Sequence, residues 1–127
     1  MNRLQLIGNL GADPETQTFQ SGAQLTKLRV ATTERGYTTA QGQQIQPRTT
    51  WHDVMTWGAL AVSCANMLQK GSKVYVEGIL HSQEVEKDGV KRTYWQCDAQ
   101  MVEFLAGLKP KQPVQTTFQE TPPPPQL

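Results

Sequence analysis

Strand-like periodicity runs through most of this chain, and one amphipathic helix pattern interrupts it. Along residues 25–33 apolar and polar residues alternate, so Leu28 and Val30 are expected on one face and their polar neighbours on the other. The segment Thr49–Trp57 is rich in β-branched and aromatic residues, which also favours a strand. These patterns predict a mostly-β domain.

The remaining patterns give the order of the elements. Further strands are predicted in Leu4–Leu10, Lys73–Leu80 and Lys91–Leu105, and Asp88-Gly89 is a typical hairpin turn. With the helix placed before Lys73, the predicted order is three strands, a helix, a fourth strand, a hairpin and a fifth strand.

The helix is predicted over Ala59–Lys70, with these apolar positions on one face: Leu60, Cys64, Met67 and Leu68. The pair Lys70-Gly71 is typical of a helix end, with a base in the last turn and a glycine just beyond it. A helix between strands 3 and 4 of a closed five-stranded sheet is the OB-fold layout. The predicted fold class is therefore all-β with one helix, a five-stranded OB-fold Greek-key barrel with an extended β-hairpin between strands 4 and 5.

Composition divides the chain at Leu108. Residues 1–108 carry the strand and helix patterns, whereas residues 109–127 are rich in proline, glutamine and threonine and include the run Pro122–Pro125. Such a segment has few groups to bury, so a disordered Pro/Gln-rich tail is expected after one folded domain. The net charge of +1 means that any basic surface must arise from segregation of charges.

Several classes of function are disfavoured. No apolar run approaches the length of a membrane span or a signal-peptide core, so a cytoplasmic protein is expected. Cys64 and Cys97 lack metal-ligand spacing, so we expect reduced thiols and neither a metal nor a cofactor. His52 and Asp53 are neighbours on a strand and point to opposite faces, and Cys64 lies on the apolar helix face, so an enzyme is not expected.

Two tryptophans share one face of the third predicted strand. Strand period two places these side chains together: Trp51, Asp53, Met55 and Trp57. A barrel interior would reject the charge of Asp53, so this face is expected to point outward. Tryptophans exposed in this way suit the stacking of unpaired bases, although tryptophan is usually largely buried and a core role stays open.

Four stretches resemble the bacterial single-stranded DNA-binding (SSB) family, in family order and spacing: Leu6–Gly11 followed by Asp13–Glu15, Ala31–Glu34, Thr50–His52 and Lys70–Gly78. The resemblance covers roughly residues 2–107. It implies a homotetramer of OB-folds that binds and protects single-stranded DNA without sequence preference. It also implies work in DNA replication, recombination and repair, and a cytoplasmic, nucleoid-associated location.

The resemblance and the residue types together predict the contacts with DNA. Stacking is expected from Trp51, Trp57, Tyr37 and Trp95, with local packing open for Tyr37 and an interface or core role open for Trp95. Phosphate contacts are expected first from Arg3, Arg35 and Lys73, and second from Arg29, Arg48, Lys87, Lys91 and Arg92. For any single one of these bases, a solvated surface charge is an equally good interpretation. His52 is expected in the core or at an oligomer contact.

The chain also departs from the family pattern. His81–Val85 stands where basic and aromatic residues are usual, and Asp53 lies on the expected binding face, so weaker binding is predicted. The acidic tip through which many members recruit replication and repair proteins is absent from residues 109–127, whose one acidic side chain is Glu120. Partners that need that tip are therefore not expected, while a polyproline-type partner of Pro122–Pro125 stays open.

Two other functions stay open at this stage. One is an SSB-like OB-fold adaptor of the primosomal type, which acts mainly through protein interaction. The neutral charge favours it, and the retained Trp51 and Trp57 speak against it. The other is an RNA-binding OB module, which would depend on contacts with the 2′-hydroxyl group.

Overall fold

The chain forms a closed ring of strands with one helix, in a computed structural model that describes residues 1–110. The predicted tail from residue 111 onward lies outside the described residues. The elements are β1 (Leu4–Leu10), β2 (Glu15–Thr18), β3 (Gln24–Glu34), β4 (Tyr37–Thr38), β5 (Gln44–Ile45), β6 (Arg48–Trp57), α1 (Gly58–Met67), β7 (Lys73–Lys87) and β8 (Val90–Ala106).

The ring closes where β1 meets two partners. β1 pairs with β7 over most of its length and with β3 at its end, and β7, β8, β6 and β3 complete the circuit. Gly8 makes this closure sterically feasible, because a Cβ atom there would lie 2.2 Å from the carbonyl oxygen of Ala31. β6 and β8 pair in parallel, whereas the other contacts of the ring are antiparallel. The predicted OB-fold layout is confirmed.

Alternate residues of the strands fill the barrel. Leu28, Val30, Val54, Val74 and Val76 are fully buried, and the polar neighbours of Leu28 and Val30 in β3 point away from the core. The alternation predicted for β3 is therefore confirmed. α1 covers the barrel with further buried residues, Ala61 and Cys64.

The helix ends earlier than predicted. α1 stops at Met67, Leu68 is extended, and Lys70-Gly71 lies outside the helix, so that part of the prediction is wrong. Two side chains from outside the predicted helix, Ser72 close by in sequence and Asp13 far away, take up backbone amides that a longer helix would have used. Ser72 Oγ accepts from the Gln69 N–H at 2.9 Å, and Asp13 Oδ1 accepts from the Lys70 N–H at 2.8 Å.

Three short strands were not predicted. β2 pairs with β3 at the open edge of the large sheet, and β4 and β5 turn the long loop after β3 into a small hairpin. β7 also runs seven residues beyond the predicted Leu80, so the hairpin of β7 and β8 projects well past the barrel. Its turn is the predicted Asp88-Gly89 pair, and both residues have positive φ, as a two-residue hairpin turn requires.

The end of β8 is fastened to the helix. Leu108 packs against the core, and the Lys109 N–H donates to the carbonyl oxygen of Met67 at 2.9 Å. The domain boundary at residue 108 stays a prediction. Within the part of the chain that the structure describes, the ten-residue α1 is the one helix, and it is too short to cross a bilayer.

Candidate nucleic-acid interface

The tryptophan face of β6 points outward, as the sequence predicted. Val54 and Thr56 are fully buried, whereas Trp51 and Trp57 are each 49% exposed. The prediction that both indole rings lie outside the barrel is confirmed, and a core role for them does not hold. β3 and β8 flank β6, so the outer sides of these three strands form one surface, which we call the β3–β6–β8 face.

Trp51 is held in place from two sides. A Cβ atom on Gly11 would lie 2.2 Å from Cζ3 of Trp51, so the missing side chain of Gly11 makes room for the indole ring. The guanidinium of Arg29 lies over the same ring, 5.4 Å from its centroid, which is within the cation–π range. Arg29 Nη1 in turn donates to Asp53 Oδ1 at 3.1 Å. Arg29 and Asp53 are cross-strand partners in β3 and β6, so the sheet register brings the pair together.

Trp57 is in contact with an aromatic residue, Phe19, that sequence reasoning missed. The ring of Phe19 stacks on Trp57, with centroids 5.8 Å apart and planes inclined by 25°. Phe19 lies in the turn between β2 and β3, where it accepts from the Gly22 N–H and donates to the carbonyl of Ala23. Phe19 therefore covers one side of Trp57, and about half of the Trp57 surface stays exposed to solvent.

A cleft of about 200 Å³ opens where β6 and β8 separate. The two strands pair only at Val54–Cys97 and Met55–Asp98, so they diverge toward the start of β6. Trp51 and Trp95 both line the cleft. Trp95 is 59% exposed, so the open alternative of a core role in this chain does not hold.

The two faces of the projecting hairpin differ in charge. The face that carries Trp95 also carries Ser82, Glu84, Glu86, Lys91 and Thr93. The opposite face carries Tyr94 with these side chains: Gln83, Val85, Lys87 and Arg92. Within the projecting hairpin, the face of Arg92 and Lys87 has no carboxylate except Asp88 in the turn. Arg92, Lys87 and Asp88 border a cleft of about 360 Å³ together with Tyr94.

Tyr94, which the sequence analysis did not select, lies on the same outer side of β8 as Asp98, the partner of Met55. It is half-exposed and continues the β3–β6–β8 face onto the hairpin. The period of two counted from the Asp88-Gly89 turn would have placed it there.

Arg3 and Lys73 lie elsewhere on the barrel. Arg3 Nη1 donates to Glu77 Oε2 at 2.9 Å, on the outside of β1 and β7, neither of which pairs with β6. The Tyr75 hydroxyl donates to Glu77 Oε1 at 2.8 Å, and this bond lowers the pKa of Glu77 and raises that of Tyr75. Lys73 begins the same strand β7. The structure therefore does not bring these two bases together with the tryptophans.

The other predicted bases are exposed and spread over several elements. Arg35 lies between β3 and β4, and Arg48 starts β6. Lys91 lies opposite Glu86 in the hairpin. Tyr37, at 63% exposure, sits in the small β4–β5 hairpin rather than in an irregular loop. Gly36 allows the close approach at the base of this hairpin, since a Cβ there would lie 2.6 Å from the carbonyl oxygen of Ile45.

A second carboxylate on the outer face is also paired. Asp98 lies in contact with the ring of His81, and Asp98 Oδ1 accepts from Gln96 Nε2 at 2.9 Å. With Asp53 held by Arg29, both carboxylates that β6 and β8 present there have a donor within the protein.

The groups considered for catalysis lack reactive surroundings. His52 Nε2 lies 2.9 Å from Thr32 Oγ1, and burial lowers the pKa of His52 while Asp53 partly opposes this. Burial also raises the pKa of the Cys64 thiol to about 11, against the effect of its hydrogen bond with Thr56. A thiol of that pKa holds almost no thiolate at neutral pH. Within residues 1–110, no group of three or more His, Cys, Asp or Glu is arranged to hold a metal ion.

The closed ring of β1, β7, β8, β6 and β3, with α1 after β6, defines an OB-fold protein. The model of the Single-strand binding protein family matches residues 1–105. The chain belongs to that family.

Comparison with individual proteins agrees. The chain is 39% identical over 106 residues to Single-stranded DNA-binding protein 1 of Xylella fastidiosa, covering 83% of this chain and 77% of that protein. It is 35% identical over 107 residues to the single-stranded DNA-binding protein of Bacteroides thetaiotaomicron, covering 84% of this chain and 66% of the relative.

Solved structures show the same fold. The single-stranded DNA binding protein of Thermus aquaticus, as a deletion mutant, superposes with a TM-score of 0.71 at 31% identity, over 84% of this chain and 51% of that one. The Plasmodium falciparum SSB in complex with ssDNA superposes with a TM-score of 0.74 at 21% identity, over 84% of this chain and 96% of that one. The second likeness concerns the fold alone.

Proposed function

We propose that this protein binds and protects single-stranded DNA without sequence preference, in replication, recombination and repair. The observation that carries the proposal is the pair of half-exposed tryptophans on the outer face of a barrel of this family. Every base presents a π-face, so stacking on indole rings gives affinity without reading sequence. A protein with this ligand works where DNA is unwound, so the same proposal places it with the nucleoid in the cytoplasm.

The strand is proposed to cross the β3–β6–β8 face and continue onto the hairpin. Trp57 holds a base at the end of β6, Trp51 holds one six residues earlier in the same strand, and Tyr94 holds another beyond the barrel. The phosphates lie near the cations Lys27, Arg29 and Arg92. Tyr37, Arg35 and Arg48 extend this path at the end of β6 where Trp51 lies.

The proposal includes self-association as a homotetramer, which rests on family membership. Support comes from the side of the barrel away from β6. There Ile7 in β1 and Met101 in β8 are exposed apolar residues that flank Glu77 in β7, the partner of Arg3. An oligomer contact by His52 stays a separate prediction, because His52 lies in β6 and its ring is bonded to Thr32 Oγ1.

An adaptor that works mainly through protein contacts is the second candidate. The carboxylates Asp53 and Asp98 on the outer face and Glu84 and Glu86 on the hairpin favour it, because they oppose phosphate. Titration with oligo-dT at rising salt separates the two. A strand binder shows log K falling linearly with log salt, at about −0.7 per contacted phosphate, whereas an adaptor binds oligo-dT weakly or not at all.

The two neighbouring aromatics of the hairpin give a further prediction. Tyr94→Ala is expected to weaken binding of an oligo-dT of about 16 nucleotides by about 1–3 kcal/mol, the cost of one lost base stack. Trp95→Ala is expected to cost less, because Trp95 shares its face with Glu84 and Glu86. Fluorescence anisotropy of labelled oligo-dT measures both. A larger loss of affinity for Trp95→Ala than for Tyr94→Ala would indicate that the strand runs through the cleft lined by Trp95 and Trp51.

A further inference from the structure

Three groups on the β3–β6–β8 face form one unit that the proposed function does not explain. Arg29 lies over the ring of Trp51 and is bonded to Asp53 at 3.1 Å. The side chains of Arg29 and Asp53 are 52% and 31% exposed, so a ligand can reach both. We call these three residues the Trp51 triad.

We propose that Asp53 is an internal substitute for a DNA phosphate, which holds Arg29 over Trp51 until a single strand displaces it. This inference rests on the proposed function, because it assigns a regulatory role within the same binding face. Carboxylate and phosphate oxygens both suit the planar guanidinium fork, so they compete for the same partner.

The geometry gives the order of events. A guanidinium 5.4 Å from the indole centroid occupies space in which a base would stack. A base can reach that side of Trp51 only when Arg29 moves aside. Arg29 then bonds to the phosphate of the arriving strand, and Asp53 is left beside the DNA without its partner.

Asp53 therefore lowers the affinity in two ways. It must lose its ion pair before Trp51 can stack a base, and its free carboxylate then repels the strand. Removal of the carboxylate charge should release Arg29 and open Trp51 before the strand arrives, so that no ion pair has to break on binding. These effects require Arg29, whereas simple repulsion by Asp53 does not.

A double-mutant cycle on oligo-dT binding separates the two causes. Asp53→Asn is expected to tighten binding about tenfold at low salt, the scale of one charge-assisted hydrogen bond. In an Arg29→Gln background the same change is expected to give about twofold, since only the general repulsion is removed. The slope of log K against log salt is expected to steepen by about 0.7 only when Arg29 is present, because the Asp53 carboxylate that Arg29 leaves in the wild-type protein takes up a cation and offsets one released counterion.

Glu15→Gln is the matched control. Glu15 lies on β2 opposite Lys27 at the edge of the same face, and it makes no ion pair with any residue from 1 to 110. Its loss removes one carboxylate charge without touching the Trp51 triad. We expect less than about a twofold change in affinity.

A measurement on the free protein tests the resting state. With Trp57→Phe and Trp95→Phe, Trp51 is the sole emitter, and quenching by neutral acrylamide reports how open its ring is. Asp53→Asn is expected to increase the quenching. Unchanged quenching would overturn the proposal that Asp53 keeps Arg29 over the ring.

The cycle also distinguishes this inference from the proposed function. If the wild-type protein binds oligo-dT and the two substitutions are additive, the proposal about Asp53 is overturned and strand binding stands. An effect of Glu15→Gln as large as that of Asp53→Asn overturns it as well. If the wild-type protein does not bind oligo-dT, the proposed function fails and this inference fails with it.

Discussion

Replacement of both Trp51 and Trp57 by alanine is expected to weaken oligo-dT binding by about 2–6 kcal/mol. Each lost base stack costs about 1–3 kcal/mol. Six strand steps of about 3.3 Å separate the two positions by about 20 Å, so the losses should add. Each single substitution is expected to cost about half as much. Anisotropy of a labelled oligo-dT is the appropriate measurement, because it does not depend on tryptophan emission.

The double variant should stay folded, because both rings are half-exposed and the core beneath them is Val54 and Thr56. Far-UV circular dichroism and the urea midpoint check this. Val62→Ala, which trims an exposed apolar side chain on α1, serves as the control and should leave affinity unchanged. A folded double variant with wild-type affinity would remove both tryptophans from the binding site.

Gly8→Ala is expected to give a large loss of stability, about 3 kcal/mol or more. The new Cβ atom would lie 2.2 Å from the carbonyl oxygen of Ala31 and 2.9 Å from Cγ1 of Val30. Backbone on one side and a buried side chain on the other leave little room to shift. β1 and β3 would have to separate at the point where the ring closes.

Gly22→Ala is the matched control for the loss of a glycine. Gly22 has φ of +89° and nothing within 4 Å of its would-be Cβ atom, so only backbone strain of about 1 kcal/mol is expected. Urea unfolding of both variants at one protein concentration gives the comparison, since self-association makes stability depend on concentration. Equal losses of unfolding free energy for the two variants would contradict the claim that Gly8 is required for the close contact of β1 with β3.

The predictable part of the fold is the part that depends on local periodicity. β3 and β6 each bury one face, so a period of two fixes which side chains point inward. The end of α1 was not predictable from the helical pattern, because side chains outside the predicted segment decide it. Asp13 and Ser72 satisfy the amides of Lys70 and Gln69, and neither interaction leaves a pattern inside the helical segment.

The candidate site was also predictable only in part. The charge of Asp53 on the tryptophan face was enough to predict that Trp51 and Trp57 point outward, because a barrel interior excludes an unpaired charge. The partners of the bases were not predictable. Arg3 meets Glu77 across 74 positions of sequence, and Arg29 meets Asp53 only through the register of β3 with β6.

The hairpin of β7 and β8 was predictable in part. Its turn at Asp88-Gly89 was predictable, and the register that follows from the turn places Tyr94 and Trp95 on opposite faces. The length of β8 was predicted within one residue at each end, whereas the continuation of β7 beyond Leu80 was not, because the exposed residues of that segment have no buried face to mark them.

Titration of the wild-type protein with three ligands tests the central claim most directly. The ligands are an oligo-dT, a mixed-sequence single strand of equal length, and the duplex of that mixed sequence, with tryptophan emission as the readout. The two single strands should bind with similar affinity and lower the emission, because stacking on Trp51 and Trp57 does not read sequence. The duplex should bind far more weakly, because its bases are already stacked and paired. Equal binding of duplex and single strands, or no binding of either single strand, would contradict the account.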